Sequence, residues 1–406
     1  MEQLDQVNHL VSRMTLTEKA SLLSGADKWH TKAIPRVGLG QVTVSDGPHG
    51  LRKEVYDQGK YQYTVKSTCF PTACASACSF DRALLRQIGG AIAEECRAES
   101  VDVVLGPGLN CKRSPLCGRN FEYFSEDPVV SGELAAAYIE GVQEKGVGTS
   151  MKHFALNNQE YRRLTTDVVA DERAMFELYL SSFERVLKSV QPWTVMCSYN
   201  RVKGVNASDN KWLLTDVLRD KFGYTGLVVS DWGAVNDRVR GVSAGLDVEM
   251  PYIGAYHDHQ IERAVAAGTL READVDACAA RVVALEQRAK SRETVPYDAG
   301  AHHALARESA VRSAVLLKND DALLPLTKNA SVAVLGAFAK TPRYQGAGSS
   351  KVQPLAIDSP LDELLKLGVS ATFAEGYREE QDEPDEALIQ AACELARGKD
   401  AVLLYA

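Results

Sequence analysis

The sequence predicts an α/β fold in which a parallel (β/α) barrel precedes part of a second α/β domain. Short, nearly all-apolar segments alternate with helix-patterned segments, as expected of parallel strands that are buried on both faces. Six of the apolar segments end abruptly in polar residues, and active sites of (β/α)8 barrels gather at the carboxyl ends of their strands. A doubly wound open sheet would give a similar pattern and remains an alternative at this point.

The predicted strand ends carry most of the chemically reactive side chains of the first domain. They fall at Asp46, 106–110, Lys152–His153, 198–200, Asp231 and Glu249. Between them, residues 81–100 and 171–190 place apolar side chains three and four positions apart, which predicts helices.

The pattern changes near residue 290. We predict a barrel domain over residues 1–290, a linker over 291–310 and part of an α/β sandwich domain over 311–406. The linker is polar and contains Pro296, whereas Val332–Leu335 predicts a strand of the second domain. The chain ends on "AVLLYA", which predicts one more core strand.

Composition excludes several classes of function. The net charge of -8 argues against nucleic acid or an anionic membrane surface as a partner. No apolar run is long enough to span a bilayer, and the N-terminus lacks the apolar region of a signal peptide. The nine cysteines are scattered without CxxC spacing, which predicts reduced thiols, a cytoplasmic location and no metal site.

Asp231 raises the question of why a buried strand ends in a carboxylate. It follows the apolar run 227–229 directly, and an unpaired buried charge is costly. Such an Asp is often a helix cap. Trp232 beside it favours a second explanation, because the apolar face of a sugar ring stacks on indole.

Other strand ends carry groups that suit a polar ligand, and each has an ordinary structural alternative. Lys152 and His153 stand side by side and need hydroxyl or carboxylate partners, unless they form a surface pair. Asp46 and Arg52 lie on a turn rich in Gly and Pro, which holds side chains rigidly.

The same applies to two further positions. Arg119 has Glu122 and Glu126 nearby, an arrangement that a structural salt-bridge loop would also show. Tyr199 could be an aromatic residue that fills the barrel. Each signal is weak alone, but together they indicate one site at the mouth of the barrel.

The motifs as a set resemble glycoside hydrolase family 3, the β-glucosidase group. They follow the order of that family over nearly the whole chain: "SDGPHGLR", "GPGLNCKRSPLCGRNFEYFSEDP", "KHFALNNQE", "DERAMFELYL", "VMCSYNRVKGVNAS", "GLVVSDWGAV", "AGLDVEMP" and "AVLLKNDDALLPL". The resemblance implies a (β/α)8-type barrel followed by the first part of an α/β sandwich domain. It also implies an exo-acting β-glycosidase, with a β-glucoside or a related small glycoside as substrate and no metal or organic cofactor.

The resemblance further implies a retaining double displacement in which Asp231 is the nucleophile. It assigns the remaining parts of the site as follows: Asp46, Arg119, Lys152 and His153 to hydrogen bonds with the sugar, Arg52 and Arg163 to the support of these residues, Tyr199 to a place beside the nucleophile and Trp232 to the pocket wall. The stretch 343–354 resembles a loop that the family lays over its active site, from which Ser349 and Ser350 could reach a sugar.

The sequence departs from the family at the proton donor. The acid/base of the family is usually a Glu in a motif like "ESEGxDR", and this motif does not occur here. We therefore expect the acid/base Glu beyond residue 406 or on a second chain. Four other carboxylates are weaker candidates with structural alternatives: Glu122, Glu126, Glu160 and Glu249.

Two other interpretations remain open. The chain could be a catalytically incomplete sugar-binding or scaffold half of a split or truncated protein. Lys152 could instead form a Schiff base in an aldolase-like barrel, although Trp232 and the surrounding Arg and Asp residues argue against this chemistry.

Overall fold

The computed structural model describes residues 2–289 and 294–406. These residues form two compact units. The first unit runs to Ala314 and also includes Gly346–Gln353, and the second comprises Val315–Gln345 and Pro354–Ala406. Within the described residues, no helix combines the length and apolar character that a membrane crossing needs.

The first unit contains eleven strands and eleven α-helices among its described residues. The strands are β1 Val44–Asp46, β2 Glu54–Asp57, β3 Lys60–Thr64, β4 Lys66–Ser67, β5 Val103–Leu105, β6 Gly148–Phe154, β7 Asp167–Val168, β8 Thr194–Cys197, β9 Arg201–Val202, β10 Val205–Asn206 and β11 Leu227–Ser230. The helices are α1 Glu2–Ser12, α2 Leu16–Leu22, α3 Ala73–Ser76, α4 Arg82–Ala98, α5 Pro128–Glu144, α6 Glu172–Ala174, α7 Ser181–Ser189, α8 Arg238–Ala244, α9 Tyr256–Ala266, α10 Glu272–Ala289 and α11 Ala299–Ser313.

Short helical segments of other types complete the list. Two segments are π-helical, Met175–Tyr179 and Trp212–Lys221. The 3₁₀ turns are Pro35–Val37, Ala77–Ser79, Asn120–Glu122, Ala207–Asp209, Asp320–Ala322, Ala337–Ala339 and Gly348–Ser350.

A five-stranded parallel sheet is the framework of the first unit. Its strand order is β1-β5-β6-β8-β11, so each strand pairs with the strand that follows it across a helical connection. Strands β5, β6, β8 and β11 are buried throughout, as their nearly continuous apolar sequences predict. The strands predicted at five of the six polar breaks are therefore present.

Two further segments close this sheet into a barrel. Residues 246–249 run parallel to β11, with a bridge between Val248 and Val229. Glu249 then bridges Ser24 in parallel. The chain reverses after Ser24, so that His30 bridges Thr43 in the antiparallel direction next to β1. The predicted barrel is confirmed, with a closing segment that changes direction.

Close contact of α4 with α5 seals one side of the barrel. A Cβ atom on Gly141 would lie 2.0 Å from the carbonyl oxygen of Arg86, so only glycine allows this approach of the two backbones. Asp81 caps the start of α4, because its side chain accepts a hydrogen bond from the Leu84 amide. Asp127 caps α5 in the same way, and Pro128 is the first residue of that helix.

The second unit is a small parallel α/β assembly. Its elements are β12 Ser331–Leu335, α12 Pro360–Lys366, β14 Ser370–Ala374, α13 Glu386–Ala396 and β15 Ala401–Leu404, whereas β13 Gln353–Pro354 has one residue in each unit. Strand β12 lies between β14 and β15, and both pairings are parallel. Val332 and Val334 pack on one face of this sheet, and Ala333 and Leu335 pack with Ala392 of α13 on the other. The strand predicted at 332–335 is therefore the central strand.

The region predicted as a linker, 291–310, is partly helical. Its first residues, 291–293, lie outside the described residues. The rest includes most of α11, which belongs to the first unit. The helix escapes prediction because its exposed face and its buried face both carry polar side chains, so it shows little apolar periodicity.

A buried histidine fixes α11 to α4. Nδ1 of His302 lies 2.9 Å from Glu95 Oε1, and Nε2 lies 3.1 Å from Glu94 Oε2. The ring of Tyr297 stacks on the imidazole with 5.1 Å between centroids, and Lys145 pairs with Glu94. Burial lowers the pKa of His302, but hydrogen bonds to the two carboxylates outweigh burial and raise it above its usual value. The imidazolium form therefore satisfies both contacts.

Replacing His302 with Gln should lower the free energy of unfolding by about 2 kcal/mol in mildly acidic solution, because a charged hydrogen-bonded contact is lost. Since the folded-state pKa is raised, this stabilisation is complete below the unfolded value of about 6.5 and is lost as the pH rises through the folded value. Urea unfolding of both proteins across this range should show the difference shrink at alkaline pH. His259→Gln removes an exposed pair with Glu262 and should change little. A difference for His302→Gln that stays constant with pH would contradict the assignment.

Candidate active site

A pocket of about 520 Å³ opens at the carboxyl ends of the barrel strands. All nine side chains singled out from the sequence line it: Asp46, Arg52, Arg119, Lys152, His153, Arg163, Tyr199, Asp231 and Trp232. The structure thus brings the predicted set together, and the role of each member remains a prediction.

The barrel topology explains why these residues meet. Asp46 is the last residue of β1, Lys152 and His153 lie near the end of β6, and Asp231 directly follows β11. Because the strands are parallel, their carboxyl ends lie at the same end of the barrel. Tyr199 follows the end of β8 by two residues and joins the same face.

Asp231 lines the pocket, and its two carboxylate oxygens differ in their partners. Its Oδ1 accepts a hydrogen bond of 2.7 Å from the backbone amide of Trp232, which fixes the orientation of the carboxylate. Its Oδ2 has no hydrogen-bond partner among the described residues and lies 3.7 Å from His153 Nε2. An oriented carboxylate with one unpartnered oxygen is suited to attack an electrophilic carbon.

His153 is held by its other ring nitrogen and by its backbone. Nδ1 lies 3.1 Å from the hydroxyl of Tyr123, and Asn110 bonds both the amide and the carbonyl of His153 at 2.9 Å. Burial, together with the nearby Arg119, Lys152 and Arg163, lowers the pKa of His153 well below its usual value. The imidazole is therefore neutral, and its contact with Asp231 is not an ion pair.

A buried carboxylate lies between two cations that line the pocket. Glu122 bonds the Nε atom of Arg119 and lies 3.9 Å from Lys152 Nζ, and the side chains of Glu122 and Lys152 are only 1% and 2% exposed. Burial raises the pKa of Glu122, but Arg119 and Lys152 outweigh it and lower the pKa below its usual value. Glu122 therefore remains ionised and keeps both cations available to the pocket.

Asp46 heads a second chain of charged contacts. Arg52 Nη1 lies 3.3 Å from Asp46 Oδ2, and Arg52 Nη2 lies 2.7 Å from Glu54 Oε1. Burial raises the pKa of Asp46 to about 6, although Lys152 and Arg52 act in the opposite direction. Asp46 thus titrates near neutrality, unlike Glu122.

Aromatic side chains form the walls of the pocket. The hydroxyl of Tyr199 donates to the carbonyl of Trp232 at 2.9 Å, and the guanidinium of Arg163 stacks over the Tyr199 ring at 4.5 Å. Trp232 Nε1 donates to the carbonyl of Lys28, and its ring lies 5.5 Å from that of Trp29. These contacts fix both aromatic rings beside Asp231.

Several pocket residues were not identified from the sequence. They are Lys28, Trp29, Glu54, Gly118, Phe121 and Met196, whereas Ala347 and Gly348 belong to the stretch 343–354 that the resemblance had placed over the active site. Lys28 and Trp29 belong to the reversed closing segment, which carries no strand pattern. Glu54 lies on a hairpin, and its position two residues after Arg52 was the one available signal.

The segment Gly346–Gln353 returns to the first unit and reaches the pocket. Ser349 lines it, whereas Ser350 is buried and does not. A Cβ atom on Gly346 would lie 2.3 Å from the ring of Phe121, so this position requires glycine. Val352 is buried against Gly50 and anchors the far end of the segment.

The four carboxylates named as weaker proton donors are distributed differently. Glu122 and Glu160 line the pocket, and Glu160 pairs with Arg163 at 2.6 Å. Glu126 lines another cavity, and Glu249 is buried 2.7 Å from Nδ1 of His257. Across residues 2–289 and 294–406, no group of three or more His, Cys, Asp or Glu side chains is placed to hold a metal ion.

Comparison with known protein families matches both units. Residues 53–285 match the glycosyl hydrolase family 3 N terminal domain, and residues 314–406 match the glycosyl hydrolase family 3 C-terminal domain.

Named relatives cover the whole chain. It is 49% identical over 410 aligned residues to thermostable beta-glucosidase B of Acetivibrio thermocellus, with 98% of this chain and 54% of that protein aligned. It is 45% identical to an exo-alpha-(1->6)-L-arabinopyranosidase of Bifidobacterium longum, with 97% and 54% aligned. The crystal structure of a Bifidobacterium adolescentis GH3 beta-glucosidase superposes with a TM-score of 0.89 at 46% identity, covering 97% of this chain and 57% of that chain.

Replacing Glu122 with Gln should destabilise the first unit by about 3 kcal/mol, because two buried cations lose their counter-charge. Urea unfolding of the wild type and the variant measures this difference. Glu160→Gln is the matched control, since Glu160 also pairs with an Arg three residues away but both side chains are partly exposed. The control should lose less than about 1 kcal/mol. Equal losses in the two variants would show that burial of the Glu122 pair is unimportant.

Proposed function

The chain belongs to glycoside hydrolase family 3, and on that premise we propose that its parent protein is a retaining, exo-acting β-glycosidase, specifically a β-glucosidase, with Asp231 as nucleophile. The chain spans about half the length of the curated relatives it matches, 54% in both cases. The observation that carries the proposal is that Asp231, whose Oδ2 has no hydrogen-bond partner among the described residues, lines a pocket together with cations and aromatic rings.

The proposed reaction begins with attack of the Asp231 carboxylate on the anomeric carbon. The C–O bond to the leaving group breaks, a carboxylic acid protonates the departing oxygen, and water later releases the sugar from Asp231 with retained configuration. The nucleophile must be ionised for this step. Arg119 and Lys152 place positive charge in the same pocket.

The remaining pocket residues would bind and orient the sugar. Asp46, Arg119, Lys152 and His153 offer donors and acceptors to its hydroxyl groups, and Trp232 offers an apolar face to the ring. Arg52 and Arg163 hold Asp46 and Tyr199 through the contacts described above. Because contacts within the protein hold these side chains in place, we expect little reorganisation on binding.

The proton donor is assigned to none of the carboxylates that line the described pocket. Glu122 is kept ionised by Arg119 and Lys152, and Glu160 is paired with Arg163, whereas the acid must be protonated before the reaction. We place this function in the second domain of the parent protein. The relatives carry the aligned region and their remaining length in one polypeptide, so the comparisons give no support to a second chain and do not favour a sugar-binding scaffold.

The sugar specificity is proposed as glucose, because relatives aligned over nearly the whole chain are named beta-glucosidases. The arabinopyranosidase relative supplies the competing substrate. Rates on 4-nitrophenyl β-D-glucopyranoside and 4-nitrophenyl α-L-arabinopyranoside would decide between them. Faster hydrolysis of the arabinopyranoside would overturn the glucose assignment but leave the mechanism intact.

Incubation with 2,4-dinitrophenyl 2-deoxy-2-fluoro-β-D-glucopyranoside should label Asp231. The activated leaving group needs little help from an acid, and the fluorine slows release of the covalent intermediate. Intact and peptide mass spectrometry would detect one fluoroglucosyl group and locate it. Asp231→Asn should prevent labelling and lower kcat/KM on the chromogenic glucoside by about 10⁴-fold or more.

Asp237→Asn is the control for this experiment. Asp237 is the N-cap of α8, six residues from Asp231 and outside the pocket, and Asn caps helices equally well. This variant should label and turn over like the wild type. Label on another carboxylate would remove the nucleophile assignment from Asp231.

The pH profile of kcat/KM should have an acidic limb near pH 6, set by Asp46. Its carboxylate must be ionised to accept hydrogen bonds from two sugar hydroxyls, and burial raises its pKa to about 6. Below pH 6, kcat/KM should fall about tenfold for each pH unit, and above pH 6 it should reach its full value. In Asp46→Asn the activity should be low and this limb should disappear. A limb unchanged in the variant would assign the titration to another group.

A further inference from the structure

A second cavity, of about 770 Å³, adjoins the pocket and has no part in the proposed reaction. It lies between the reversed closing segment, the start of β1 and the β2–β3 hairpin. Its lining includes Lys28, Trp29, Glu54, Val55 and Tyr56. The volume falls within the range of about 300–1,000 Å³ that is typical of small-molecule sites.

The two cavities share one wall. Lys28, Trp29 and Glu54 line both of them. Glu54 is the centre of this wall, because its carboxylate accepts hydrogen bonds from Lys28 Nζ at 2.7 Å, the Tyr56 hydroxyl at 2.6 Å and Trp29 Nε1 at 3.3 Å. The wall is therefore a rigid, hydrogen-bonded structure.

The charges that line the second cavity are paired with one another or with near neighbours. Lys28 pairs with Glu54, Asp27 pairs with His30, and Lys53 pairs with the carboxylate of Glu99 at 3.4 Å. A cavity with paired charges makes no net demand for a cation or an anion. Its hydrogen-bonding capacity suits neutral hydroxyl groups.

Aromatic rings supply the other half of the recognition surface. Trp29 and Tyr56 line the cavity, and Lys28 Nζ lies 5.2 Å and 5.6 Å from their ring centroids. Val44 and Val55 add apolar surface. Aromatic faces combined with paired polar groups match a sugar ring, which is apolar on its faces and polar at its edge.

The shared wall also connects the second cavity to the candidate active site. From Glu54 the contacts continue through Arg52 to Asp46. From Trp29 they continue to Trp232, whose Nε1 donates to the backbone of Lys28. A ligand that moves Glu54 or Trp29 would therefore change the groups proposed to bind the substrate.

We propose that the second cavity binds a neutral saccharide as an accessory ligand, and that its occupancy alters substrate binding through Glu54 and Trp29. The effect on substrate binding rests on the proposed function, whereas the binding of the saccharide does not. The site is separate from the sugar position beside Asp231.

Isothermal titration of the full-length protein with thiocellobiose, an S-linked disaccharide that resists hydrolysis, tests the proposal. The wild type should show two sites. Val55→Trp, which fills the cavity, and Tyr56→Ala, which removes an aromatic wall, should each weaken the second site by about tenfold or more. Tyr63→Ala is the matched control, because Tyr63 is an exposed tyrosine of the same hairpin that does not line the cavity. It should keep both sites.

Inhibition kinetics provide the second measurement. With a chromogenic glucoside, thiocellobiose should inhibit the wild type in a mixed pattern and Val55→Trp in a purely competitive pattern. Thermal melts establish that the variants fold. If Val55→Trp does not fold, the comparison of Tyr56→Ala with the wild type decides the question.

The outcomes separate this proposal from the proposed function. In one outcome the protein hydrolyses the glucoside, and titration shows a single thiocellobiose site that is lost in Lys152→Met and retained in Val55→Trp. This outcome overturns the accessory site and leaves the glycosidase assignment in place. A second site that Val55→Trp removes, in a full-length protein without glycosidase activity, supports the accessory site and overturns the function.

Discussion

The polar mouth of the barrel depends on placing each buried charge next to a side chain of opposite charge. Moving a single ion from water into a protein interior costs several kcal/mol, so neither Arg119 nor Lys152 could be buried alone. Glu122 lies between them and carries the opposite charge. This arrangement keeps two cations at fixed positions beside the end of β11. Flexible surface side chains, by contrast, would have to be ordered each time a ligand binds.

The carboxylates that line the pocket differ in their neighbours. Arg119 and Lys152 lower the pKa of Glu122, and hydrogen bonds from Lys28 and Tyr56 lower the pKa of Glu54. Asp231 has one oxygen held by the backbone and one without a partner among the described residues. The chemical difference between these groups therefore comes from their neighbours, since the side chains are otherwise alike.

Much of the barrel could be predicted because its strands are short, apolar and followed by polar residues. The strand ends at Asp46, Lys152 and Asp231 lie together in the structure, as parallel topology requires. The closing segment could not be predicted, because pairings such as Ser24 with Glu249 join residues far apart in the chain and leave no local periodicity. Lys28 and Trp29 were missed for this reason, and α11 was missed because its anchor is a buried ion group centred on His302 rather than an apolar stripe.

The reversal of the closing segment has a consequence for folding order. Glu249 hydrogen-bonds to Leu23 and Gly25, so the two ends of the barrel sequence must meet before the ring is complete. Such contacts enclose a long loop and are entropically expensive, which tends to make them late. Trp29 reaches its position against Trp232 through the same closure. Ligand affinity would then appear only at the final stage of assembly, which makes sugar binding a reporter of complete barrel formation rather than of secondary structure.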